Sequence, residues 1–173
     1  PREKAAAGAL ARGSNRGAQS MPRKNRTIAN AIVRFSVLCH VTLIAALAAL
    51  YLPGDTARWL GVAGYSTAAL ALLIVLFLSN LGLFRTAAGA PAGALGAANR
   101  LTLLRFVMIA PTVFLIADGH LVAGVAMYLV SGITDVADGY IARRRHDETR
   151  FGVMMDPVAD ILTTTGVFGV LFA

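Results

Sequence analysis

Four aspartates, Asp135, Asp138, Asp156 and Asp160, fall within 26 residues of otherwise strongly apolar sequence. An ionised carboxylate near a bilayer centre costs about 2.5–3.5 kcal/mol on insertion scales, and less toward the interface. Such acids must lie near the interface, be neutral, pair with bases, or hold cations. Spacing narrows the choice. At roughly 100° per residue, Asp135, Asp138, Gly139 and Ala142 share one arc of about 100° on a helix. On the next helix Gly152, Asp156 and Asp160, each four residues from the last, share about 80°. A short Arg-rich connection makes the two helices antiparallel, and each presents carboxylates beside small residues. Hard oxygen donors converging from two helices suit Mg²⁺ or Mn²⁺, which keep waters and bridge to substrate phosphates. Two such ions would balance the four carboxylates in formal charge. Gly139 and Gly152, lacking side chains, let a ligand or a helix approach the backbone. Pro157 withdraws the donor that the Val153 carbonyl would normally meet, which leaves either a carbonyl facing a polar cavity or a kink.

The elements that carry these residues are membrane helices. Hydrophobic residues make up 57% of the 173-residue chain and charged residues 14%, against about 45–50% and about 25% in soluble domains. Mean hydropathy is +0.66. One cysteine, Cys39, cannot form an internal disulfide. Runs long enough to span a bilayer lie at 35–52, 60–84, 101–117, from 121 into the stretch that starts at Asp135, and from about 151 to 173. The expected fold is an all-α polytopic bundle of five spans. It divides into a basic arm (1–34), two leading spans (35–85), a small-residue linker (86–98) and the segment carrying the aspartates (99–173). Absence of an initial Met, and an apolar helix running to the last residue, suggest part of a larger bundle.

Sixteen Lys and Arg against nine Asp and Glu give a net charge of +7. Their distribution alternates. Eight precede the first span, Arg58 alone follows it, Arg85 and Arg100 come next, residues 118–120 carry none, and Arg143, Arg144, Arg145 and Arg150 fill the last loop. The positive-inside rule places the amino terminus and the Arg143–Arg150 loop in the cytoplasm. The arm, without aromatic interleaving, reads as a disordered segment touching anionic headgroups rather than nucleic acid. Trp59 beside Arg58 reads as an interfacial anchor. Cys39 and His40 read as packing residues, and His120 and His146 as solvated loop residues.

The segment Asp135-Val-Ala-Asp138-Gly139-Tyr-Ile-Ala142-Arg143, eight residues, then Gly152-x3-Asp156-x3-Asp160 resembles the signature of the CDP-alcohol phosphatidyltransferases. Upstream, Asn99-Arg-Leu-Thr102-Leu-Leu-Arg105 is similar to the opening of that family's first core helix. The resemblance covers residues 98–173. It implies transfer of a phosphatidyl group from CDP-diacylglycerol to a small alcohol, with release of CMP. It further implies that Asp135, Asp138, Asp156 and Asp160 bind two divalent metals and that Asp160 is also the base toward the acceptor hydroxyl. Gly139, Ala142 and Gly152 would make room for the nucleotide, Arg143 would contact its phosphates, and Asn99 and Thr102 would lie nearby. A homodimer in the inner or plasma membrane, its site open to the cytoplasm, is the expected assembly.

The family core has six membrane helices and three follow residue 98, so this chain alone is expected to be inactive. The motif looks most like the branch using glycerol 3-phosphate, although Ile161 stands where that branch often has lysine. Arg105, Arg144, Arg145 and Arg150 are candidates for an acceptor phosphate. Inositol phosphate, inositol and serine are the alternative acceptors. A cation-binding or cation-conducting membrane protein is the rival class, since carboxylates on facing helices also mark ion pathways. It leaves Gly139, Ala142, Arg143 and Gly152 unexplained.

Overall fold

The structure, a computed structural model, describes residues 23–51, 54–85, 92, 94–145 and 149–173, and of residues 50, 51, 138, 142, 143 and 145 the backbone alone. The described chain is helical: α1 (Arg23–Tyr51), α2 (Thr56–Ser79), a short 3₁₀ turn (Leu81–Leu83), α3 (Ala97–Ala117), α4 (Leu121–Arg145) and α5 (Arg150–Leu171). All five α-helices are long and apolar enough to cross a membrane. The expected all-α membrane bundle is what forms.

Two boundaries differ from the hydropathy reading. Helix α1 starts at Arg23, well before the apolar run and inside the segment read as a basic arm. Ile28 and Ile32, one turn apart, are 2% and 0% exposed and anchor that extension in the core. Helix α2 stops at Ser79 because Asn80 turns its side chain back, Nδ2 donating to the Leu76 carbonyl at 2.8 Å. An asparagine amide competes with the backbone in this way, and the chain tightens into the 3₁₀ turn. The remainder of the arm (1–22) and residues 86–91 and 93 of the linker lie outside the described residues. Ala92 and Leu95 of that linker are buried, and the Ala92 amide donates to the Phe84 carbonyl at 2.9 Å.

Helix α3 packs against all four other helices. It can do so because it is apolar nearly all round, the pattern of a helix enclosed by protein, with Leu103, Phe106, Val107, Leu115 and Ile116 all buried. It ends in a Schellman turn: Gly119 donates to Ile116, His120 donates to Leu115, and Gly119 takes φ +82°. That conformation favours glycine. Helices α4 and α5 both lie on α3.

The leading hairpin α1–α2 is fastened to the rest at both ends. At one, Phe77 meets Phe106 and Phe151 edge-on at 5.3 and 5.0 Å, and Phe84 stacks on Phe151 at 4.2 Å. At the other, Leu47, Val62 and Leu115 form a second cluster. Trp59 packs on that cluster with its ring half-buried. The ring thus packs partly on protein, with the rest of its surface left open. His40 is buried and hydrogen-bonded to Thr67 Oγ1 at 3.0 Å, a packing residue between α1 and α2.

The turns fall into two groups. Arg58, after α1, pairs with Asp118 of the α3–α4 turn at 3.4 Å. The Arg150 amide, opening α5, donates to the carbonyl of Arg85 at 3.0 Å. Each pair joins turns that the alternation of basic residues assigns to the same face.

Candidate functional site

Helix α3 has three buried polar side chains at its amino-terminal end: Asn99, Thr102 and Arg105, at steps of three residues. Each step advances about 4.5 Å and rotates about 60° backward, so they form a slanted strip down one side. All three are buried, and polar groups in that setting need partners. Helix α5 starts at the same end of the bundle, runs parallel to α3 and supplies a partner at each step.

The first rung joins Asn99 to Thr149. Thr149 is the N-cap of α5, its Oγ1 accepting the Gly152 amide at 3.2 Å, as N-cap threonines do. The same hydroxyl donates to Asn99 Oδ1 at 2.7 Å. On the second rung Thr102 Oγ1 donates to Asp156 Oδ1 at 3.0 Å, with the Ala98 carbonyl 3.2 Å away. On the third, the Arg105 guanidinium is ion-paired with Asp135 of α4 and lies 3.5 Å from Asp160 Oδ1 of α5. Arg105 has a side-chain exposure of 1%, whereas those of Asp135 and Asp160 are 38% and 57%. Both carboxylates are therefore open away from the guanidinium. Asp160 also borders a cavity of about 330 Å³ between α4 and α5, with Ser131, Tyr128 and Thr163 on its wall.

The signature residues thus converge. Asp135, Asp156 and Asp160 lie within electrostatic reach of Arg105 and of one another. A Cβ built on Gly152 would stand 3.6 Å from Asn99 Oδ1 and 3.9 Å from Asp156 Oδ2, so the bare glycine adjoins both. Gly139 lies one turn beyond Asp135 on α4, half-buried. The backbones at Asp138, Ala142 and Arg143 continue α4, and their side chains lie outside the described residues, as do Arg145 beyond its backbone and His146 altogether. Two arginines stand apart. Arg144 is exposed and donates to the Tyr140 hydroxyl at 3.0 Å, and Arg150 is exposed at the start of α5. Thr149 is absent from the sequence reading. Its signal is an N-cap residue just before an apolar run.

Among the described residues, no three acidic, histidine or cysteine side chains form a ready metal cage. The donor set nevertheless fits a hard divalent cation. Carboxylate oxygens from two helices already share one cationic group, and Thr102 holds Asp156 beside them. Asp135, Asp156 and Asp160 would hold the ion, with waters completing the octahedral shell that Mg²⁺ requires.

Residues 95–173 match the family model for CDP-alcohol phosphatidyltransferase. The CDP-diacylglycerol–glycerol-3-phosphate 3-phosphatidyltransferase of Rickettsia typhi is 39% identical over 67 residues, 37% of this chain and 38% of that protein. A Mycobacterium tuberculosis protein provisionally named a cardiolipin synthase is 36% identical over 75 residues, covering 41% of this chain and 36% of its own length. The CDP-diacylglycerol–inositol 3-phosphatidyltransferase of Candida albicans is 40% identical over 62 residues, 34% and 27% of the two chains. The chain thus spans about a third of the length of the curated relatives it matches. No solved structure matches it. Residues 95–173, with the four signature aspartates in register and three of them gathered around Arg105, are thus similar to the CDP-alcohol phosphatidyltransferase family.

Proposed function

We propose that the full-length protein transfers the phosphatidyl group of CDP-diacylglycerol to glycerol 3-phosphate and releases CMP. The convergence of Asp135, Asp156 and Asp160, from α4 and α5, beside the polar strip of α3 carries this reading. The acceptor oxygen bonds to the phosphatidyl phosphorus, and the bond from that phosphorus to the departing CMP oxygen breaks. The acceptor proton passes to the carboxylate of Asp160, which is open on the side away from Arg105 and borders a cavity. Two Mg²⁺ or Mn²⁺ ions, when bound, would neutralise charge developing on the diphosphate. Asn99, Thr102 and Gly152 border the nucleotide, with Gly139, Ala142 and Arg143 completing its site. Arg144 and Arg150, exposed at that end, offer charge to an acceptor phosphate. In this reading the site and amino terminus face the cytoplasm from the inner or plasma membrane, and the protein is a homodimer.

The test is CMP release by purified full-length protein across glycerol 3-phosphate, inositol phosphate, inositol and serine. We expect release from CDP-diacylglycerol with glycerol 3-phosphate, dependent on Mg²⁺ or Mn²⁺ and abolished by EDTA. Asp160→Asn should retain CMP binding and lose at least about a hundredfold in turnover, the scale of general-base catalysis. Release with another acceptor alone would move the protein to that branch. Ion flux without CMP release would support the cation-pathway class instead.

A further inference from the structure

Arg105 has three features that its place in the motif does not explain. Its guanidinium is sealed from solvent at 1% exposure, while Asp135 and Asp160, the carboxylates it joins among the described residues, are open on their far sides. Those carboxylates belong to different helices, α4 and α5, both of which pack on the helix that carries Arg105. One guanidinium also offsets only one of the three negative charges of Asp135, Asp156 and Asp160, so the cluster still attracts cations. A buried charge of this kind costs several kcal/mol unless its partners are well placed. The carboxylates, in turn, would repel one another without it.

We propose that Arg105 is the resident counter-ion of the metal-ligating carboxylates: it holds Asp135 and Asp160 in register and must yield their oxygens when a divalent cation binds. This rests on the metal-centre reading above. Arg105 is then a positioning residue, acting on the acceptor only through the carboxylates. Metal loading opposes a fixed positive charge, so its removal should tighten metal binding while destabilising the metal-free protein.

The experiment uses full-length protein in detergent, with Mn²⁺ as probe and free Mn²⁺ followed by electron paramagnetic resonance. Arg105→Gln should bind Mn²⁺ about tenfold more tightly than the unsubstituted protein. In EDTA its Tm should fall by about 10 °C, the consequence of breaking a buried ion pair, and saturating Mn²⁺ should recover more than half of that loss. Arg105→Lys, which keeps charge but cannot bridge two carboxylates, should bind Mn²⁺ with intermediate affinity. It also carries the test alone if the glutamine variant fails to fold: an affinity equal to that of the unsubstituted protein overturns the proposal. Unchanged or weaker Mn²⁺ binding in Arg105→Gln, with a raised KM for the acceptor, overturns the counter-ion role and leaves the metal centre standing. Absence of Mn²⁺ binding by the unsubstituted protein overturns the metal centre itself.

Discussion

The hydroxyl of Thr149 takes part in two contacts that tie the start of α5 to α3: it accepts the Gly152 amide and donates to Asn99. Thr149→Val preserves shape and removes both. We expect a loss of about 1–2 kcal/mol in stability, the usual worth of an N-cap. Because Asn99 and Gly152 border the proposed nucleotide site, KM for CDP-diacylglycerol should rise more than kcat falls, and Thr149→Ser should restore both. Thermal unfolding and CMP-release kinetics on the three proteins check this; a stability loss with unchanged KM would confine Thr149 to capping. The contrast with the aspartates shows what a sequence exposes at this scale. Asp135, Asp156 and Asp160 were legible because carboxylates in apolar helices are costly and helical periodicity places them on a face. Thr149 went unread, and its local signal is that of a capping residue alone. Its second partner is Asn99, fifty positions away, which no local rule reaches. Arg105 was singled out by its motif, but its ion-pair partners were not, because they lie on two other helices.

At the scale of elements, the three rungs need α3 and α5 to run parallel and close, and α4 to lie equally close on the other side. Two glycines mark the closest approaches. A Cβ at Gly166 of α5 would stand 2.7 Å from Val113 Cγ2 of α3. At Gly124 of α4 it would stand 2.5 Å from Ile116 Cγ1 and 3.2 Å from the Ile116 backbone nitrogen. The second contact includes main chain, so a rotamer change of Ile116 cannot fully relieve it. Gly124→Ala should therefore push α4 off α3 and cost about 1–3 kcal/mol. Gly169→Ala on α5, where no atom lies within 4 Å, should leave the melting temperature unchanged and serves as control. Equal melting temperatures for both variants would show that α3 and α4 can separate without penalty. Helix number and order were readable from hydropathy, since each span needs a long apolar run. The first helix's true start was not, because apolar content lapses before Ile28 and Ile32 stop packing. That α3 is the hub was not legible either: a helix apolar on all sides fits contact with lipid as well as with protein.

The whole molecule has two distinguishable ends, and the site belongs to one of them. Arg85, Arg150, Asn99 and the Phe77–Phe84–Phe151 cluster gather at that end, while Asp55, Arg58 and Asp118 gather at the other. Hydropathy and charge alternation alone implied this grouping; the contacts between turns now give it a geometric basis. The leading hairpin acquires a mechanical role as well, since Phe77 and Phe84 pack on Phe151, the residue before Gly152. The proposed cytoplasmic orientation of the site rests on the basic residues around it, which the positive-inside rule assigns to that compartment. The assignment also suits the proposed chemistry, in which a soluble acceptor reaches Asp160 from water. Cys39 is the chain's one cysteine, so in a Cys39→Ala background each introduced thiol reports alone. Gly54→Cys lies in the exposed turn after α1, where a side chain meets nothing within 4 Å, and Arg85→Cys lies exposed at the opposite end. A membrane-impermeant maleimide added to intact spheroplasts should label Gly54→Cys at once and Arg85→Cys only after permeabilisation. The reverse pattern would invert the protein and turn its site away from the cytoplasm. Labelling of both from outside would mean that α2 does not span, and the parallel run of α3 and α5 would then need another membrane arrangement.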